Sequence, residues 1–305
     1  MKICLIFLLL NLISTSINAE EKITNKTAHK TPYQIVADAP AEHWRGLDLN
    51  NTLYITLKSG VVVVELAPQF APNHVENTKK LVNEGVFNNT SFYRVIDGFV
   101  AQGGPADPEK IAKPKSGMLS IGAELTINPK KSFSFTPLNG FDGYAPEVGY
   151  VDGFASGRSK DKKSNWLLHC YGALAMGRAN SADSGGTELY VVIGTAQRYL
   201  DKNTTVFGRV ISGMDHIQAL KRSTTLQGEV DVKESNKILK VQIASDLKPE
   251  NRLGLQVMKT DSNSFKALIK SRKNRKGEWF LYQHDYIDVC SVAVPVRLAK
   301  AKKPQ

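Results

Sequence analysis

A mainly β protein with a small β/α extension at its C-terminus is what this sequence predicts, and three observations carry the prediction. Short segments of β-branched and aromatic residues recur along the chain, each closed by a Gly, Asp or Ser turn. Helical periodicity is confined to brief stretches between them. The 305 residues are 42% hydrophobic with three cysteines, which suits a packed core and excludes a collagen, a disulfide-dense miniprotein or a wholly disordered chain. After the N-terminus no apolar run reaches the roughly 18 residues that cross a bilayer, so a polytopic membrane protein is not expected.

The first 19 residues stand apart from the fold. Lys2, an apolar run over 3–10 and the small residue Ala19 are ordered as in a secretory signal. Ile17 departs from that pattern, standing where a small residue is usual. Residues 20–45 are polar and rich in Thr and Lys and read as a loose leader. From Thr52 the pattern alternates over 52–57, turns at Lys58-Ser59-Gly60 and resumes over 61–66, a hairpin. Residues 73–84 place Val75, Thr78, Leu81 and Val82 on one helical face, with Pro72 at the start and Gly85 past the end. A second hairpin joins 91–96 to 99–102 through Asp97-Gly98.

Residues 103–168 are rich in Pro, Gly, Lys and Asp and read as long loops over a scaffold. Strands are expected at 167–176, 188–193, 206–211 and 238–244, with a short helix over 213–221. The last segment offers a strand at 253–258 and a helix begun by Asp261 or Ser262 that packs Phe265, Leu268 and Ile269. Further strands are expected near 279–282 and 289–296. The domain reading is therefore 1–19 signal, 20–45 leader, 46–247 main domain with 105–168 as a loop insertion, and 248–305 extension.

Charge is unevenly spread. Lys and Arg exceed Asp and Glu by 11 overall. Residues 248–305 hold 13 basic against 5 acidic residues, while 20–247 hold 26 against 24. The densest run, 266–276, has six basic residues and no acid. Such a run can attract nucleic acid or anionic lipid. No aromatic is interleaved to stack on bases, and a solvated helix face is the expectation. Cys170 and Cys290 remain beyond the leader. In an oxidising compartment they can bridge and tie the extension to the main body; two buried thiols are the alternative.

Most familiar chemistry is missing. No two of the six histidines stand at metal-ligand spacing, and no Cys-x-x-Cys, phosphate-binding glycine loop or Gly-x-Ser-x-Gly occurs. Ser184, ahead of two glycines, reads as a turn serine rather than a nucleophile served by His169.

One motif is specific. Phe92-Tyr-Arg-Val-Ile-Asp-Gly-Phe-Val-Ala-Gln-Gly-Gly104 resembles the signature of the cyclophilin family of peptidyl-prolyl cis-trans isomerases. A looser second block, Gly172-Ala-Leu-Ala-Met176, Gly186-Thr-Glu-Leu-Tyr-Val191 and Leu200 through Val210, resembles the rest of the family's site. The resemblance covers roughly 50–247. It implies a closed eight-stranded antiparallel β-barrel capped by two helices, with which the strand and helix pattern agrees. It also implies catalysis of X–Pro rotation by Arg94, with Phe99, Val100, Tyr190 and Leu200 around the proline ring and Gln102 holding the substrate backbone.

No cofactor or metal is implied, since the reaction breaks no bond. A donor aimed at the proline nitrogen and a dry pocket suffice.

The chain also departs from the family pattern. Gly177-Arg178 stands where Asn is usual, Glu188 replaces Gln, Tyr190 replaces Phe, Tyr199 replaces Trp, Thr204 replaces His and Val100 replaces Met. Arg178 and Glu188 either pair with each other or Arg178 adds a cation to the groove. Glu124 and Glu147 of the insertion are further acids that can reach the site. The leading reading is a monomeric periplasmic isomerase acting on proline-containing unfolded or nascent exported polypeptides, without nucleic acid and without stable membrane insertion. The second reading, motivated by these substitutions and the basic extension, is a peptide-binding module or holdase with little turnover.

Overall fold

The computed structural model describes residues 29–105, 114–129, 133–225 and 235–299. The expected signal over 1–19 and the start of the leader lie outside the described residues. The rest of the leader is ordered, against expectation. Helix α1 (Pro32–Ala37) starts at Thr31, whose hydroxyl and the Gln34 side chain cap each other's backbone. Strand β1 (Trp44–Gly46) follows.

Strands β2 (Thr52–Leu57) and β3 (Gly60–Leu66) form the first expected hairpin, and α2 (Pro72–Asn83) the expected helix. Strands β4 (Thr90–Val95) and β5 (Val100–Gly104) form the second hairpin. The insertion is not a set of loops. It holds β6 (Phe135–Pro137), β7 (Glu147–Val151), β8 (Phe154–Arg158) and β9 (Asn165–Leu167), a four-stranded antiparallel sheet in that order. These strands are short, and β7 and β8 are interrupted by Gly149 and Gly157, so they lack the apolar runs that mark a strand in sequence. Gly157 is needed because a Cβ there would meet the Trp166 ring at 2.5 Å. Asp152 and Gly153, both at positive φ, make the β7–β8 turn.

The chain continues through β10 (Ala173–Met176), β11 (Leu189–Val192), β12 (Val206–Ser212), α3 (Met214–Gln218) and β13 (Lys237–Ile243). The single strand expected over 167–176 is thus two, separated by a turn with Gly172 at φ +80°. The extension supplies β14 (Leu255–Met258), α4 (Asn263–Lys273) capped by Ser262, and β15 (Val296–Leu298). Residues 279–282 form no strand, and most of 289–296 is a 3-10 turn and coil.

Eight strands close into an antiparallel barrel in the order β10-β11-β5-β4-β13-β2-β3-β12. Alternate residues of each strand, such as Leu53, Ile55 and Leu57 of β2 and Val62, Val64 and Leu66 of β3, fill its interior. Val75, Leu81 and Val82 of α2 and Ile217 of α3 pack on that core. The outer face of β5, β10, β11 and β12 is covered by the insertion sheet through Val151, Phe154 and Leu167. The sheet's opposite face, with Val148, Tyr150 and Trp166, carries the extension through Phe265, Leu268 and Val289. Period-two alternation therefore builds a layered body, barrel, insertion sheet, extension.

The two chain ends meet. Strand β14 pairs with β1 on one side and β15 on the other, and α1 packs against α4. Arg45 and Arg209 converge on buried Glu65 at 2.6 and 3.3 Å, and Arg45 Nε meets Asp152 at 2.8 Å. Burial pulls the Arg209 pKa down, with Glu65 opposing. Cys170 and Cys290 are bonded, so the extension is covalently tied to the segment that precedes β10.

Candidate functional site

The site is built on the outer face of the barrel from a row of residues on adjacent strands. In β4–β5 pairing Arg94 stands opposite Gln102, and in β5–β11 pairing Gln102 stands opposite Tyr190. Neighbouring strands are about 4.8 Å apart, so the row spans on the order of 10 Å from the Arg94 backbone to that of Tyr190.

A β-bulge sets the chemistry. The β4–β5 register shifts between Ser91 and Arg94, leaving Phe92 and Tyr93 opposite Gly103. Phe92 points into the barrel core. Strict alternation would send Tyr93 and Arg94 to opposite faces, yet both reach the Gln102 amide. Arg94 Nη1 donates to Gln102 Oε1 at 3.2 Å, and Gln102 Nε2 donates to the Tyr93 hydroxyl at 2.9 Å. Tyr93 in turn donates to Glu188. Gly103 is obligatory here, because a Cβ would lie 2.9 Å from the Phe92 ring. Burial, with the Glu188 carboxylate beside it, pushes the Tyr93 phenol well above its usual range, so it stays a donor.

Phe99 closes one end. Its ring lies under the Arg94 guanidinium, 5.8 Å from centroid to Cζ. The 96–99 turn is clamped from the other side by Ile193 and Gly194, whose amides donate to Phe99 O. Val100 is buried on the same outer face, with Tyr190 and Val192. Gly177 lies alongside Gln102 and Glu188, and its N–H donates to Glu188 O at 2.6 Å.

The other end rests on a buried histidine. His169 is fully enclosed, with Nδ1 3.0 Å from Asp201 Oδ1. Its Nε2 lies 2.9 Å from the Tyr190 hydroxyl and 3.0 Å from Thr204 Oγ1, and those two hydroxyls bond each other. Burial pushes the Tyr190 phenol up, with the Thr204 hydrogen bond opposing. Asp201 also takes Arg198 Nε at 2.6 Å, and Arg198 forks onto Asp142 at 2.8 and 2.9 Å. Burial pushes the Asp142 carboxyl up, but Arg198 and the amides of Tyr144 and Ala145 outweigh it and hold it below the usual range. The 3-10 turn Arg198–Leu200 rides on this network, with Leu200 half-buried and Tyr199 exposed.

Two expectations change. Gln102, expected to hold a substrate backbone, has its amide engaged with Arg94 and Tyr93. Arg178 turns to the carbonyls of Asn203, Ala179 and Asn180 and ties the end of β10 to the 199–204 segment. The two insertion acids serve elsewhere. Glu124 accepts from the first amides of α2 and from His74, and Glu147 pairs with Arg158. Ser184 is the expected turn serine, donating to Ser181 O.

Tyr93, His169, Asp201 and Arg198 were not legible as site residues. The bulge that brings Tyr93 round has no sequence signal, and His169 belongs to the segment leading out of the insertion. An apolar cavity of about 270 Å³ beside Cys170 and Cys290 is a separate feature, sharing no residue with the Arg94 row.

The model of the cyclophilin type peptidyl-prolyl cis-trans isomerase family matches residues 52–243. A probable peptidyl-prolyl cis-trans isomerase of Brucella suis is 30% identical over 201 residues, 66% of this chain and 86% of that protein. Peptidyl-prolyl cis-trans isomerase B of Bacillus subtilis is 28% identical over 177 residues, 58% of this chain and 94% of that one. The crystal structure of cyclophilin AquaCyp293 from Hirschia baltica aligns with a TM-score of 0.68 at 28% identity, covering 89% of this chain and 99% of that one. That likeness extends beyond the 52–243 segment.

Proposed function

The chain belongs to the cyclophilin-type peptidyl-prolyl cis-trans isomerase family and is a peptidyl-prolyl isomerase, and from that premise we propose that Arg94 stabilises the twisted imide and that the clients are exported polypeptides. The X–Pro bond turns slowly because resonance flattens it, with a barrier of about 18–20 kcal/mol. In the twisted transition state the proline nitrogen regains its lone pair. A guanidinium aimed at that nitrogen helps only there, which is the condition for raising the rate.

The observation that carries the assignment is the Arg94–Gln102–Tyr93–Glu188 chain of hydrogen bonds. Tyr93 takes up one Gln102 N–H and thereby turns the amide oxygen to Arg94, which holds the planar guanidinium over Phe99. Phe99, Val100, Tyr190 and Leu200 supply the apolar surface for the proline ring. A preset donor in a dry site costs no reorganisation at the moment of reaction.

Export is supported by the signal-like order of residues 1–19 and by the Cys170–Cys290 bond, which persists in oxidising compartments such as the periplasm. Chains folding there meet proline bonds that need tens of seconds to isomerise uncatalysed. The test is isomerisation of a short X–Pro peptide. Arg94→Ala should lower kcat/KM by about 10²–10³, as loss of an electrostatic donor does, with the circular dichroism unchanged. Arg94→Lys should recover little, because a point charge lacks the planar fork. Retention of half the activity by Arg94→Ala would remove the guanidinium from the mechanism.

A further inference from the structure

We infer that the isomerase pocket continues into an extended binding surface for unfolded polypeptide, formed by the 141–144 loop of the insertion and the 279–286 loop of the extension. The inference rests on the pocket at Arg94 being where the proline is turned. Its starting observation is exposure: Trp279, Leu281 and Tyr282 are 84%, 99% and 73% accessible, and Phe141 is 82% accessible. Large apolar side chains scattered singly on a surface carry no meaning, but these are grouped on two loops that touch.

The contacts between the loops and the pocket are explicit. Arg198, next to the pocket-rim residue Tyr199, forks onto Asp142 and lies 5.3 Å from the Tyr144 ring. Lys273 at the end of α4 donates to Asn139 O at 3.0 Å. A Cβ at Gly140 would sit 3.7 Å from the Tyr286 ring, so the two loops lie side by side. The contacts therefore run from Arg198, beside Tyr199, to Asp142 and Tyr144 of the first loop, and from Gly140 of that loop to Tyr286 of the second. The disulfide at Cys290, four residues past Tyr286, anchors the far loop to the body that carries the pocket.

The occupant fits a polypeptide better than a membrane. Glu278 and Asp285 are exposed on the same loop as the aromatics, where anionic headgroups would repel them. Lys273, Arg275 and Lys276 border one edge and favour acidic side chains along it. An extended chain with apolar residues flanking its proline uses both the pocket and the strip. A short peptide uses the pocket alone.

That difference is the test. The triple variant Trp279→Ser, Leu281→Ser, Tyr282→Ser should keep kcat/KM for a short X–Pro peptide within about twofold, and lose about tenfold on the proline-limited refolding of a protein, chiefly through KM. Arg94→Ala should lower both, so a failure of the pocket assignment shows separately. With the unaltered protein, a permanently unfolded, proline-free chain should inhibit refolding catalysis and leave the short-peptide reaction untouched. The inference is overturned if the triple variant refolds the protein as well as the parent does. It is equally overturned if the unfolded chain fails to compete, or if the three side chains matter only for sedimentation with phosphatidylglycerol vesicles.

Discussion

Replacing His169 with alanine tests how the far wall of the proposed proline site is held. The ring is fully buried and its two nitrogens reach Asp201, Tyr190 and Thr204 at 3.0, 2.9 and 3.0 Å. The carboxylate of Asp201 is acceptor-only, so Nδ1 carries a proton, and Nε2 faces the two hydroxyls. Alanine removes three hydrogen bonds of about 1 kcal/mol each and opens a small cavity. The partners are not wholly orphaned, since Asp201 keeps Arg198 Nε and the residue-169 amide, and Tyr190 keeps Thr204. The sum is about 3–5 kcal/mol of lost stability. Glutamine retains one polar contact and should cost about half as much. Urea unfolding at pH 7 reads these values, with the m-value unchanged if the transition stays two-state. Short-peptide kcat/KM should fall by about tenfold in the alanine variant as the Tyr190 ring loses its fixed position. A loss below about 1 kcal/mol would mean that the histidine supports nothing, and the account of the pocket wall would be wrong.

Two other outcomes follow from the same geometry. Replacing Cys290 with serine opens the link between positions 120 residues apart; by chain entropy, stability to urea should drop by about 3–5 kcal/mol while short-peptide isomerisation stays within about twofold. Loss of less than 1 kcal/mol would show that the layered packing alone holds the extension. Asp142 has a depressed pKa in the folded protein, so its contribution is present above the unfolded carboxylate value of about 3.9 and disappears as pH falls through the lower folded value. Asp142→Asn should therefore flatten that part of the acid unfolding profile, and an unchanged profile would show that the Arg198 fork carries no linkage.

The barrel was readable because its strands are apolar on alternate residues and its turns carry Gly and Asp at the tips, so hydrophobic burial and turn chemistry agree locally. Arg94, Phe99 and Gln102 were singled out through the family resemblance, whose signature holds them within a few residues of one another on a single hairpin. The insertion sheet was read as loops because strands of three to five residues, two of them broken by Gly149 or Gly157, bury themselves through neighbours far away in sequence. The order of 29–46 was hidden likewise, since β1 finds its partner in β14 some 200 residues on.

What the sequence alone determined is the alternation that marks the strands and the short family motif in which Arg94 stands, both written in local spacing. The tertiary structure decided the rest: the bulge that swings Tyr93 beside Arg94, the choice of His169 to brace Tyr190, and the pairing of Cys170 with Cys290. Each of these depends on which distant segments share a seam once water is expelled, and burial depends on the whole arrangement rather than on any residue's neighbours in the chain.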